Sequence, residues 1–124
     1  MIGTTIYSAL SNAEAITAIV GTRIYPVVMP QEEKGVSIVY SIGSNNPDQT
    51  KDGPSTLETY FFEIYCVSKR YTEVDALASL VRSTLEAYTS TAVQTIRYQS
   101  EADDFEFETR SYLRIIQFKI RIKR

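Results

Sequence analysis

Carboxylates form the densest group of chemically capable side chains in this sequence. Five lie within eight residues, namely Glu101, Asp103, Asp104, Glu106 and Glu108. Carboxylate oxygens bind Ca²⁺ and Mg²⁺, but the Asp-x-Asp-x-Asp-Gly spacing of a calcium loop is absent. Two other interpretations stay open. The run is a solvated turn and strand edge, or it is an acidic patch that meets a basic patch on a neighbouring subunit.

Basic side chains are concentrated in the last fifteen residues, where no acidic residue occurs. They are Arg110, Arg114, Lys119, Arg121, Lys123 and Arg124. One interpretation is a solvated strand face whose charges discourage edge-to-edge aggregation. A second is a contact between subunits. A third is proximity to DNA, where attraction to phosphates would be non-specific and sensitive to salt.

The inventory of side chains argues against catalysis. The chain has no histidine, which is the usual acid–base catalyst at neutral pH and a common zinc ligand. Its one cysteine, Cys66, lies in an apolar run and is expected to be a small buried hydrophobe. The net charge of −2 gives no overall basic bias towards nucleic acid. We therefore expect no enzyme activity, no metal and no cofactor.

A third polar group is the segment 43–54 (GSNNPDQTKDGP), which is rich in turn formers. This composition predicts a loop. A loop this long in a small domain is usually functional or disordered, so its polar side chains are candidates for an interface. These are Asn45, Asn46, Asp48, Lys51 and Asp52.

The elements that position these groups begin with helices. Apolar residues from Ile6 to Val20 recur every three or four positions, which is typical of a helix with one buried face. Asn12 interrupts the pattern and is predicted to cap a second short helix. Gly21 lies where a helix end favours a left-handed residue. A short extended segment at 22–26 should follow.

Strands and one long helix make up the rest. Segments 36–42 and 57–68 are rich in β-branched and aromatic residues and predict strands. Thr72 to Asp75 resembles a capping box that opens a helix ending near Tyr88. Segments 93–99 and 105–123 predict two final strands, the second bent near 109–111. In that strand Ile116, Phe118, Ile120 and Ile122 alternate with Gln117, Lys119, Arg121 and Lys123.

This order of elements predicts one α+β domain over residues 1–124. We expect a mostly antiparallel β-sheet with helices packed on one face. No segment has the features of a signal peptide or a membrane span, so we expect folding in a reducing cytoplasm and no membrane partner.

Two stretches carry a resemblance to a known family. They are residues 20–26 (VGTRIYP) and 71–82 (YTEVDALASLVR), and they occur in order with residues 6–10, 37–40, 52–54 and 62–66. The chain resembles the small tail-completion or tail-terminator proteins of long-tailed bacteriophages and prophages. The family often has a proline before the strand at 37–40, where this chain has Gly35-Val36.

The resemblance implies a ring-forming subunit, usually in six copies, at the head-proximal end of the tail tube. Such a ring stops tube growth and offers a docking surface to head-side connector proteins, while DNA passes through its lumen. The implied partners are therefore other copies of the chain, the tube protein and a connector or stopper. The implied location is the tail or neck of the virion, assembled in the host cytoplasm.

Two alternatives remain beside this interpretation. One is another neck, head-closure or tube ring protein of the same particle. The other is a small nucleic-acid-binding α+β module that uses the C-terminal strand as its platform. The latter would bind with a steep salt dependence.

Overall fold

The computed structural model describes residues 2–30, 35–50 and 53–123, with the backbone alone at 44–50 and 53–57. The elements, in chain order, are α1 (Ile2–Ser11), α2 (Glu14–Val20), β1 (Ile24–Pro26), β2 (Ser37–Thr50), β3 (Gly53–Ser68), α3 (Tyr71–Ala87), β4 (Val93–Glu106) and β5 (Ser111–Lys123). The predicted α+β class is confirmed.

The five strands form one sheet in the order β1-β2-β3-β5-β4. Only β1 and β2 run parallel, and all other neighbours are antiparallel. The last strand, β5, therefore lies between β3 and β4 in the sheet. Strand β4 is the long edge strand of the sheet. It carries two irregularities in its register and several acidic side chains, which discourage pairing with a further strand.

The helices cover one face of the sheet. Helix α3 packs on β3, β4 and β5, and α1 lies beside it over β1 and β2. The predicted alternation in β5 is confirmed, because Ile116, Phe118, Ile120 and Ile122 are all buried in the core. The apolar stripe of α3 is buried as predicted, with Leu77 and Leu85 fully inaccessible. This arrangement leaves a second face of the sheet without helices, which we call the helix-free face.

Two predicted boundaries were wrong. The described residues of the segment 43–54 do not form a free loop, because β2 continues to Thr50 and pairs with β3 from Gly53 onwards. Cross-strand pairing here overrides the local preference of Gly, Asn and Pro for turns. The segment 105–123 is not one bent strand either. Strand β4 ends at Glu106, and a four-residue turn leads into β5 at Ser111.

Two predicted helix caps are absent. Helix α2 follows Ala13, which occupies the N-cap position and makes no side-chain hydrogen bond, so Asn12 is not the cap. Helix α3 begins at Tyr71 after Arg70, again without a side-chain cap. Ser68 acts instead of a capping box. Its hydroxyl accepts a hydrogen bond from the Arg70 amide and donates one to Glu73.

Gly21 ends α2 with φ of 60° and ψ of −122°, a conformation that side chains with a Cβ disfavour. A Gly21→Ala variant is expected to lose about 1–3 kcal/mol in the free energy of unfolding, measured by urea titration. Gly3→Ala is the matched control. It lies within α1 and has nothing within 4 Å of its added methyl group, so it should be neutral or stabilising. Equal effects of both substitutions would contradict this account.

Candidate assembly surfaces

Arg114 joins β5, β4 and α3 at one end of the helix-covered face. Its side chain is only 12% exposed. Its Nη1 donates to Glu101 Oε2 at 2.8 Å, and its Nε donates to an Asp103 carboxylate oxygen. Its Nη2 donates to the Tyr71 hydroxyl at 2.9 Å and lies 3.2 Å from Asp75 Oδ1. We call these five residues the Arg114 network.

The network continues along α3. Tyr98 on β4 donates its hydroxyl to Glu101 at 2.9 Å. The Arg82 guanidinium stacks over the Tyr98 ring at 3.7 Å from its centre and pairs with Glu86. Polar contacts thus hold the exposed side of α3 to β4, while the apolar stripe holds its other side to the core. The sequence-predicted candidates Glu101, Asp103 and Arg114 are therefore used within the subunit.

The charges of the Arg114 network stabilise one another. Hydrogen bonds from Tyr71 and then Arg114 hold the pKa of the Asp103 carboxyl below its usual range. Partial burial opposes the Arg114 charge, but hydrogen bonds to Asp103, Glu101 and Tyr71 outweigh it and raise the pKa of the guanidinium. The hydrogen bond to Asp103 also raises the pKa of Tyr71. The shifts of Asp103 and Arg114 favour their ion pair at neutral pH, and the shift of Tyr71 keeps its hydroxyl protonated.

The lowered pKa of Asp103 makes part of the stability depend on pH. This part is present above the unfolded-state pKa of about 4 and is lost as the pH falls towards the folded-state value. An Asp103→Asn variant should therefore be less stable than the wild type at pH 6. The gap should narrow as the pH falls below about 4. Urea titrations across this pH range measure the difference in stability between the two chains. A difference that stays constant would show that the Asp103 carboxylate is not the source of the pH dependence.

An aromatic ladder borders the same end of the sheet. Tyr71 contacts Tyr112, Tyr112 contacts Phe105, and Phe105 contacts Phe107, with ring centres 5.1–5.7 Å apart in edge-to-face geometry. Phe107 stands at the β4–β5 turn and is 80% exposed. This exposed aromatic end is rimmed by the charges of the turn, a composition common at protein interfaces.

The helix-free face is apolar at the end nearest the β4–β5 turn. Val67 lies opposite Leu113 there, and Tyr65 lies opposite both Val39 and Ile115. The segment from Val27 to Met29 runs beside these side chains and leaves a groove of about 340 Å³. The lining is Val27, Val28, Met29, Val39, Ser41, Tyr65, Val67, Glu106, Thr109, Ser111 and Leu113.

A strained turn sets the wall of this groove. Val27 has φ of 64°, which is rare for a β-branched residue. The Val28 amide donates to the Pro26 carbonyl across it, and the Val27 amide donates to the Tyr40 carbonyl. The Val27 and Val28 side chains remain 70% and 71% exposed. Two large apolar side chains are thus held in solvent at the rim of a groove.

The opposite end of the helix-free face is basic. Directly opposed residues share a face of the sheet, and Arg97 lies opposite Lys119, which lies opposite Phe61. Arg121 occupies the next row and Lys123 the one after it. We call Arg97, Lys119, Arg121 and Lys123 the basic stripe. Lys119 Nζ stands 6.0 Å from the centre of the Phe61 ring.

Two acidic candidates lie at the groove and not at the basic stripe. Asp104 pairs with Leu113 and Glu106 with Ser111, so both point to the helix-free face at the turn end. Both are exposed. We call this pair the acidic rim. The hairpin thus brings Arg114 to acidic partners but leaves Lys119, Arg121 and Lys123 at the other end of the strand.

Three further candidates lie on the β2–β3 hairpin. Asn45 pairs with Tyr60 and Asn46 with Thr59, while Asp48 falls at the irregularity between Pro47 and Gln49. Lys51 and Asp52 lie outside the described residues. The hairpin continues beyond Leu57, the residue that pairs with the last partner in β5, Lys123.

The described residues provide no cysteine nucleophile, no metal site and no membrane-spanning helix. Burial raises the pKa of the Cys66 thiol to about 12, so it is not a nucleophile at neutral pH. Within the described ranges, no group of three or more Cys, Asp or Glu side chains is placed to hold a metal ion. Among the helices that the structure describes, none is long and apolar enough to cross a membrane.

Sequence reasoning missed the groove and the role of Arg114. Arg114 has the same parity along β5 as Ile116 and Phe118, so the alternation itself assigns it to the covered face. The groove has no such signal, because the 27–29 segment is irregular. Only its two adjacent valines after Pro26 hint at an apolar surface.

Comparison with known proteins decides the family. The model of the family described as "Tail completion protein gp17" matches residues 4–123. The chain belongs to this tail completion family. The resemblance expected from the sequence is thereby confirmed. No curated protein matches the chain.

A solved structure supports the fold. The chain is similar to one in "Virion of native gene transfer agent (GTA) particle", with a TM-score of 0.74 at 19% identity. The match covers 96% of this chain and 92% of the other. At this identity the likeness establishes the fold alone. Membership of the tail completion family makes this chain a structural protein of a phage tail and associates it with the virion.

Proposed function

We propose that this tail completion protein forms a ring of six copies at the head-proximal end of the phage tail tube. The ring stops addition of tube subunits and presents a docking surface to the head-side connector or stopper protein. DNA passes through the lumen without sequence-specific binding. The observation that carries the proposal is the family match, which spans residues 4–123.

The surfaces of the subunit suit such a ring. A ring is a closed heterologous assembly, in which one patch meets a different patch on the next subunit. The subunit has distinct surfaces at its two ends, an apolar groove with an acidic rim at one and the basic stripe at the other. The role needs no catalytic group, and we propose that the protein has no enzyme activity.

The β2–β3 hairpin is the proposed contact with the tube or with an adjacent subunit. Its strands continue past the last pairing with β5, so it extends beyond the end of β5. Shortening the hairpin within residues 44–56 should prevent tail capping. If the shortened chain folds and still assembles and caps tails, the hairpin is not this contact.

Deletion of the gene tests the function directly. Tail lengths in the lysate are measured by negative-stain electron microscopy, with the wild-type gene restored on a plasmid as the control. Overlong, heterogeneous and headless tails are expected. Tails of normal length that fail to join heads would instead assign the protein to a joining step of the neck. Intact infectious particles would overturn the tail proposal and favour a nucleic-acid-binding module.

The proposed site of action is the tail or neck of the virion, after assembly in the host cytoplasm. Cross-linking of purified particles should place the protein beside the tube protein and the connector. Recovery of the chain only in the particle-free fraction would contradict this location.

A further inference from the structure

We propose that neighbouring copies of this chain meet through the helix-free face. The groove and acidic rim of one copy receive the basic stripe of the next. The inference rests on the proposed ring and names the surfaces that build it. The groove is occupied by a second copy of the chain, because each molecule carries both of the complementary charged and apolar surfaces.

The groove is suited to a protein partner. Its floor is the apolar sheet surface around Tyr65 and Leu113, and its wall carries Val27 and Val28, which are largely exposed. Glu106 lies in its lining, and Asp104 projects from the neighbouring row. An apolar centre with a charged rim is the usual anatomy of a protein–protein contact. A partner must bring apolar surface together with positive charge.

The basic stripe brings both. Phe61 lies beside Lys119 in one row of the sheet, so an aromatic ring and a cation are presented together. Arg97 lies directly opposite Lys119 on the other side. Like charges directly opposed across two strands destabilise a sheet. An anionic surface placed over them would offset that cost, and the acidic rim is such a surface.

The two surfaces cannot meet within one molecule. Glu106 pairs with Ser111, and Lys119 is eight residues further along β5. At about 3.3 Å per residue, the two positions lie about 26 Å apart along one strand. Charges so far apart are largely screened from each other at physiological salt. Their complementarity therefore acts only between copies.

Engineered cysteines test the contact. The reporter chain carries Glu106→Cys and Lys119→Cys, treated with a short bismaleimide linker. It is supplied from a plasmid to the deletion strain, so that it assembles with its natural partners. The native Cys66 is buried and should not react. A ladder of covalent oligomers longer than dimers on a denaturing gel is the expected result.

The pattern of products separates the outcomes. A product that stops at the dimer would indicate a two-fold contact and overturn the ring interface. Absence of intermolecular products in particles that contain the chain would also overturn the proposal. The matched control carries Glu106→Cys with Glu86→Cys, whose second position is exposed on α3. This control should give no ladder.

Charge reversal tests the complementarity. In the reporter chain, Arg97→Glu or Asp104→Lys alone should reduce the ladder by at least about tenfold. The two substitutions together should restore it. Circular dichroism confirms that each variant folds. If Arg97→Glu leaves the ladder intact but abolishes salt-sensitive binding to duplex DNA, the stripe serves DNA and the inference fails.

Failure of this inference is distinct from failure of the proposed function. Tail length in the deletion lysate reports on function and does not depend on which surface joins the copies. Overlong tails with no cross-linked ladder would keep the terminator role and reject the interface. Normal tails with a clear ladder would keep the interface and reject the terminator role.

Discussion

An Arg114→Met variant unfolds at a much lower urea concentration than the wild-type chain. We expect the free energy of unfolding to fall by about 2–4 kcal/mol. Methionine replaces most of the side-chain volume, but it leaves Glu101 and Asp103 side by side on β4 without a cation between them. Arg114 is 12% and Glu101 26% exposed, so loss of the cation leaves the Glu101 charge partly desolvated and without its partner, which is destabilising. Asp103 is 47% exposed and recovers part of its hydration.

Two matched variants separate charge from geometry at this site. Arg114→Lys keeps the positive charge but cannot make the forked contacts to Glu101, Asp103 and Tyr71. Its free energy of unfolding should therefore lie between those of the wild type and Arg114→Met. Adding Glu101→Gln and Asp103→Asn to Arg114→Met should recover part of the loss, since the unpaired charges are gone. An Arg114→Met variant within about 0.5 kcal/mol of the wild type would show that the network adds no stability.

A Phe118→Ala variant is expected to lose still more free energy of unfolding than Arg114→Met. Phe118 is fully buried and stacks on Phe62, with ring centres 5.3 Å apart and planes tilted by 15°. Tyr98 meets it edge to face at 6.2 Å. Truncation of a buried phenylalanine removes its burial and leaves a cavity, which together are worth about 3–5 kcal/mol.

Phe118→Leu is the control for this loss. Leucine keeps most of the volume, so the cost should be below about 1.5 kcal/mol. Calorimetry or urea titration measures both variants. Similar losses for alanine and leucine would mean that the aromatic contacts, and not the filled volume, stabilise this part of the core.

Hydrophobic periodicity predicted the fold well where burial is one-sided. The alternation in β5 and the three-to-four spacing in α3 come directly from the face that each element buries. The segment 43–54 shows the opposite case. Its Gly, Asn and Pro residues favour turns locally, but the ladder between β2 and β3, which begins at Ser37 and Val67, continues through the segment to Thr50 and Gly53.

The candidate surfaces were predictable only in part. The sequence identified the acidic and basic residues, but not which of them meet. That depends on the register of β4 and β5, which places Asp103 opposite Arg114 and Arg97 opposite Lys119. Two irregularities in β4 shift this register, and such shifts leave no mark in the pattern of charges.

The position of β5 has a consequence for biosynthesis. This strand lies between β3 and β4, although it follows both in the chain. A ribosome that has translated residues up to 106 has made β3 and β4, but their shared neighbour does not yet exist. The sheet can close only after β5 has left the exit tunnel. Translation thus delays maturation, and the helix-free face is completed only when β5 joins β3 and β4.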